Sequence, residues 1–205
     1  PSSAQRPTPS AAPEPLPRDA PRELRVETLR VINEKAQGCQ RCPELASTRK
    51  SVVFGVGNPE AKIVFVGEAP GADEDEQGEP FVGKAGRLLN DIIGACRLTR
   101  EEIYICNILK CRPPGNRDPL PDEILICGET YLGVQIELLN PKIIITLGRF
   151  SLARFLPNVT ISRVHGKPHR VGNRLIYPML HPAAALRRPE WREAFIEDAR
   201  RLPDV

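Results

Sequence analysis

At 205 residues and a formal net charge of +3, the chain can bury one core of ordinary size and is only mildly basic. Its six cysteines come with no secretory h-region and no apolar run long enough to span a membrane. That argues against a disulfide-stapled secreted scaffold or a membrane protein, and leads us to expect a soluble, cytoplasmic protein whose thiolates bind metal or stay free.

Pro1 to Pro21 is rich in Pro, Ala and Ser with few large apolar groups, so ordering it would cost more entropy than burial returns. We expect a disordered tail over residues 1–21 and one domain over 22–205. Glu23 to Gln37 sets Leu24, Leu29, Ile32 and Ala36 near helical spacing, and Gly38 ends that helix just before Cys39. Lys62 to Val66 is a β-branched run ending in Gly67, the pattern of a buried strand that meets a loop. Ala85 to Cys96 reads as a helix. Thr99 with Glu102 resembles a capping box over a single helical turn before Ile103 to Asn107 becomes extended. A Pro-rich loop covers Arg112 to Pro121, and a long helix runs from Asp122 to Leu139. Lys142 to Leu147 is a third strand, Arg149 to Leu156 a short helix, Leu175 to Met179 a fourth strand, and Pro189 to Arg201 a closing helix.

Strands alternating with helices predict an α/β fold, a three-layer α/β/α sandwich with a mostly parallel central sheet. In such sheets ligands bind beyond the carboxyl ends of the strands. That is where Gly67-Glu68-Ala69-Pro70-Gly71, Asn107 and His181-Pro182 fall.

Two other patterns bear on chemistry. Arg163, His165, Lys167, His169 and Arg170 gather in one stretch, with Arg187 and Arg188 soon after His181, a distribution that suits either a polyanion partner or ordinary solvated surface. Cys39 and Cys42 form a C-x-x-C pair, while Cys111 and Cys127 stand alone downstream. Four thiolates suit zinc or an iron-sulfur cluster by charge and softness, and spacing leaves the metal open. Cys96 on an apolar helix and Cys106 in a strand read as buried thiols.

GEAPGADEDEQGEPFVGKAG from Gly67 to Gly86, ICNILKCRPPGNRDP from Ile105 to Pro119, and MLHPAAALR from Met179 to Arg187 together resemble the family 4 uracil-DNA glycosylases. The similarity runs from about Cys39 to near the C-terminus. The resemblance implies excision of uracil from single- or double-stranded DNA by a monomer, and a 4Fe-4S cluster on Cys39, Cys42, Cys111 and Cys127. Such an enzyme must extrude the base and read it in a pocket. Phe81 matches the ring that stacks on the base, and Asn107 the amide that donates to O4 and accepts from N3–H. His181 is the natural donor to O2, and Glu68 with the backbone of the 67–71 loop, Gly67 and Ala69 included, is placed to orient the attacking water. Glu74 matches a carboxylate near uracil C5 that would crowd a thymine methyl, although its acidic neighbours Asp73, Asp75 and Glu76 equally suit a solvated loop. Lys84, Arg163, Lys167 and Arg187 are expected on DNA phosphates, with Leu186 as an apolar wedge. Ala184 and Ala185 stand where the family commonly has bulkier residues, which weakens that wedge.

Cysteines and basic residues alone would also fit a non-catalytic iron-sulfur protein that binds nucleic acid or senses redox state. That alternative leaves Glu68, Phe81, Asn107 and His181 unexplained. No Lys-Ser/Thr follows the glycine-containing loop, against a P-loop. The CRPPGNRDPLP stretch lacks the histidine by which one relative captures the abasic sugar covalently, so a turning-over hydrolase is expected.

Overall fold

The computed structural model describes residues 20–202, so the expected tail lies almost wholly outside the described residues. A six-stranded sheet forms the centre, in the order β1 (Val56–Gly57), β3 (Tyr104–Asn107), β2 (Ile63–Gly67), β4 (Ile143–Leu147), β6 (Arg174–Met179), β5 (His169–Val171). The four central strands are parallel, whereas β1 and β5 are antiparallel edges. Those two short edges were not foreseen from sequence, because two or three residues carry too little periodicity.

Period-two alternation divides the side chains of the sheet between two cores, which makes the sandwich. Val64, Val66, Ile144 and Ile176 face one side, against Leu29, Ile32 and Ala36 of α1 (Arg22–Gln37) and Leu132, Ile136 and Leu139. Phe65, Ile105, Ile145, Leu147, Tyr177 and Met179 face the other. They meet Leu88, Leu89, Ile92 and Ile93 of α4 (Lys84–Ala95) and Phe195 and Ala199 of α10 (Pro189–Arg201). Each such side chain fully buried stabilises the fold by roughly 1.5–3 kcal/mol before entropy is counted. Leu24, at helical spacing with the buried face of α1, is exposed.

The long helix expected over Asp122 to Leu139 is continuous but not uniform. It runs as α5 (Pro121–Cys127), a π-type segment (Gly128–Leu132) and α6 (Gly133–Leu139). A π segment widens the helix by one residue per turn, a feature often found at functional sites, and here it begins directly after Cys127. Thr99 to Glu102 forms a hydrogen-bonded turn rather than a helical one, although Glu102 Oε2 accepts from Thr99 N–H at 2.8 Å. Four short helices also escaped prediction: α2 (Pro43–Thr48), α3 (Ala72–Gln77), α8 (Ile161–Val164) and α9 (Pro182–Ala185). α7 (Arg149–Phe155) matches its expected position.

From β2 the chain crosses to β3 on one side, and from β3 it passes back over β2 to β4 on the other. The loops leaving β2 and β4 therefore diverge, opening a crevice at the carboxyl ends of the strands.

Candidate active site

A cavity of about 670 Å³ fills that crevice, lined among others by Glu68, Ala69, Glu74, Phe81, Asn107, His181 and Arg187. One ring, one amide and one imidazole thus share a common space, Asn107 and His181 from the ends of β3 and β6 but Phe81 from the loop between α3 and α4 rather than from the third strand end expected from sequence. Gly67 lies beneath it, paired with Asn107 in the β2–β3 ladder. A Cβ on Gly67 would fall 2.5 Å from Phe81 Cζ and closer still to Asn107 Oδ1, so only glycine lets the ring and the amide meet there.

Phe81 sits at φ +56°, a left-handed conformation uncommon for a bulky residue. Its loop is held from several sides. Arg100 donates to the carbonyls of Phe81 (3.2 Å) and Pro80 (2.8 Å), and Gly86 lies so close that a Cβ would overlap the Phe81 carbonyl. Glu74 Oε1 accepts from Val82 N–H (3.0 Å) and Gly83 N–H (2.9 Å), while its Oε2 accepts from Gly71 N–H (3.1 Å). Glu74 therefore buckles the loop after β2 to the loop that carries Phe81. Its neighbour Asp75 is not a solvated charge, since it is buried and accepts from Lys50 N–H at 2.9 Å and Ser51 N–H at 3.2 Å.

Asn107 is 1% exposed, and its Oδ1 finds no hydrogen-bond partner among the described residues. Leaving such an acceptor bare costs about 1–3 kcal/mol. Beneath it, Lys110 Nζ donates to the Asn107 main-chain carbonyl (2.8 Å) and to Gln135 Oε1 (2.5 Å), a buried network that fixes the end of β3.

His181 caps α9. Its Nδ1 accepts the Ala183 N–H at 3.2 Å, which places the proton of a neutral ring on Nε2. Burial, assisted by the nearby Arg187 charge, lowers its pKa to about 4, so the ring is neutral at physiological pH. Its centroid lies 6.0 Å from that of Phe81. Glu68 shifts the opposite way: burial, then the Asp118 carboxylate, push it up to about 7 against the pull of Arg149. Asp118 and Arg149 form an ion pair at the rim, and with Trp191 they are cavity residues that sequence reasoning missed.

The expected DNA contacts are more scattered. Arg187 lines the cavity; Lys84 is exposed on the first turn of α4, and Leu186 is 47% exposed just after α9. Arg163 and Lys167 line a neighbouring cavity instead.

The family model described as the uracil DNA glycosylase superfamily matches residues 54–200. A type-4 uracil-DNA glycosylase of Archaeoglobus fulgidus is 46% identical over 190 residues, covering 88% of this chain and 94% of that protein. The chain belongs to the type-4 uracil-DNA glycosylases. A type-4 enzyme of Thermotoga maritima is 42% identical over 179 residues (85% of this chain, 92% of that protein). One of Saccharolobus solfataricus is 44% identical over 193 residues (88% and 87%).

In this glycosylase the four expected metal ligands also come together. Cys39, Cys42, Cys111 and Cys127 ring a small apolar enclosure of about 20 Å³ between the end of α1, α2, the loop after β3 and the end of α5. Lys110 N–H donates to Cys127 Sγ at 3.3 Å. Arg49 donates to Cys111 Sγ at 3.3 Å and to the Cys39 carbonyl at 2.7 Å. Such donors stabilise ligating sulfur. Burial pushes the Cys42 thiol up to about 11 and Cys127 up to about 12, so an electropositive centre is what would make them thiolates. Among the described residues no three Cys, His, Asp or Glu side chains converge closely enough to hold a single ion. Neither Cys106 nor Cys96 lines this ring; Cys106 is buried in β3 as expected, whereas Cys96 is only half-buried and donates to the Ala199 carbonyl. No described helix is long and apolar enough to cross a membrane.

Proposed function

We propose that this protein excises uracil from DNA by hydrolysing the N-glycosidic bond, releasing free uracil and leaving an abasic site for base excision repair. The observation that carries this reading is the bare, buried Asn107 Oδ1 beside Phe81 in a cavity that a neutral imidazole also lines. A flipped uracil satisfies it: N3–H donates to Oδ1, the Asn107 amide N–H donates to O4, and the ring stacks on Phe81. Cytosine inverts that edge and would leave both polar groups opposed.

As the glycosidic bond breaks, negative charge gathers on uracil O2 and positive charge on the sugar. His181 Nε2–H, fixed in that tautomer by Ala183, donates to O2 where charge grows. Glu68, half ionised near pH 7, orients the water with the Gly67–Ala69 backbone, accepts its proton and steadies the cationic sugar. Glu74, held by three main-chain N–H groups, walls the C5 edge where thymine carries a methyl. Lys84, Arg163, Lys167 and Arg187 hold phosphates, and Leu186 fills the gap in the stack.

Cys39, Cys42, Cys111 and Cys127 would hold a 4Fe-4S cluster, whose part would be to tie their segments together rather than to cleave the bond. Arg117 supports the same lobe, since it pairs with Glu123 and Glu44 and ties the CRPPGNRDP loop to α5 and α2. The enzyme acts as a cytoplasmic monomer on single- or double-stranded DNA. Uracil-containing oligonucleotides of both kinds, incubated with cluster-loaded protein and then alkali, are expected to break at uracil. Intact oligonucleotide would overturn the reading.

A further inference from the structure

The active-site cavity continues past the place for the base. Ser162, His165 and Ala194 also wall a second cavity of about 270 Å³, whose lining includes Arg163, Lys167 and Arg201. His165 stands where the two spaces meet. Its Nδ1 lies 2.8 Å from Asp198 Oδ2 on α10. Asp198 is only 2% exposed, and its main-chain carbonyl accepts the Tyr177 hydroxyl at 2.6 Å.

The backbone is shaped around this pair. Gly166 adopts φ +69°, and a Cβ there would lie 3.0 Å from Asp198 Cγ and overlap Oδ1. Its N–H is tied to the Pro178 carbonyl of β6 at 2.8 Å. A histidine serving only as solvated surface needs neither a buried carboxylate behind it nor a glycine that admits that carboxylate. Second-sphere orientation of this kind is what fixes a ring for a ligand. The surroundings are basic: Arg163 and Lys167 are exposed alongside, and the acidic Glu197 is paired with Arg201 at 3.1 Å.

We propose that His165, oriented by Asp198, is a phosphate-binding residue that grips the DNA backbone next to the flipped nucleotide, between the uracil pocket and the Arg163–Lys167 groove. Its ligand is a phosphodiester: Nδ1 is engaged by Asp198, which leaves Nε2 as the ring atom for the phosphate. The inference rests on reading the main cavity as the uracil pocket. It also explains why Arg163 and Lys167, absent from that cavity, belong to the same surface.

The test uses oligonucleotides with a non-cleavable 2′-fluorinated deoxyuridine and one neutral methylphosphonate placed in turn at each phosphate flanking it. Binding to the full, cluster-loaded chain is read by fluorescence anisotropy. Wild type is expected to lose about tenfold in affinity at one or two positions, the size of one charge-assisted hydrogen bond. His165→Gln loses about tenfold on unmodified DNA and becomes indifferent to the methylphosphonate at one of those positions only, the signature of a direct pair. Asp198→Asn, which leaves the imidazole in place, gives a smaller loss at the same position. The inference is overturned if His165→Gln binds unmodified DNA within twofold of wild type, or keeps wild-type sensitivity at every position. If wild type fails to prefer the uracil analogue over a thymine oligonucleotide, the pocket reading itself falls, a result distinct from either of those.

Discussion

Replacing Gly67 with alanine would disturb recognition with little change to the backbone, because Gly67 sits in a regular strand and is not in the left-handed region. The new methyl would lie 2.5 Å from Phe81 Cζ and 2.8 Å from Cε2, with the Asn107 oxygen nearer still. Carbon contacts below 3.0 Å essentially never occur, so the ring must retreat by at least about 0.5 Å and the amide by more. Misplacement of about 1 Å in an active site costs on the order of a hundredfold in rate, equivalent to about 2.7 kcal/mol. Overpacking costs about 1–3 kcal/mol in stability, offset by roughly 0.4–1 kcal/mol from the stiffer unfolded chain. Single-turnover uracil release by Gly67→Ala is therefore expected to fall about thirty- to a hundredfold, while Tm falls by less than about 8 °C. A rate within threefold of wild type in a folded protein would refute the close meeting of Phe81 and Asn107 as the basis of the pocket.

Other outcomes follow from the same geometry. His181→Ala removes one preorganised donor and should lower the single-turnover rate by about 10²–10³ while leaving Kd for a non-cleavable substrate within a few fold; full activity would end its assignment. With Glu68 as the proposed base its ionised form is the active one, and His181 is already neutral above about pH 4, so kcat/KM should rise through about pH 7 and then level. Glu68→Gln should abolish that limb along with most of the rate, and a profile flat from pH 5.5 to 8.5 in wild type would exclude Glu68 as base. Purified protein should be brown with about four irons per chain, and Cys111→Ser should lose both colour and thermal stability. Colourless wild-type protein with stoichiometric zinc would contradict the cluster.

The parallel sheet and three of the cavity residues were legible in sequence for one reason. β2, β3 and β6 are short apolar runs that each end at an unusual residue or loop, so Glu68, Asn107 and His181 were marked by position as well as type, whereas Phe81, in the loop between α3 and α4, was marked only by its motif. What could not be read depends on distant chain segments meeting. Asp118, in a loop, and Arg149, the first residue of α7, raise and lower the pKa of Glu68 from positions 31 residues apart. Trp191 reaches the cavity from the far C-terminal helix. Burial of Lys110 and Asp75 was equally hidden, because a charged residue in a sequence does not say whether a carbonyl or main-chain N–H awaits it. The acidic run from Asp73 to Glu76 illustrates this: Glu74 is a buckle and Asp75 an anchor, while Glu76 pairs at the surface with Lys50.

The most direct test is the ratio of single-turnover rates on uracil and cytosine for wild type and Asn107→Asp. A carboxylate accepts hydrogen bonds but has no N–H for uracil O4, and it suits the amino group of cytosine. The ratio should fall at least tenfold, chiefly through loss of the uracil rate, with cytosine release rising or holding. An unchanged ratio from a folded, cluster-loaded variant would mean that the buried amide does not read the base.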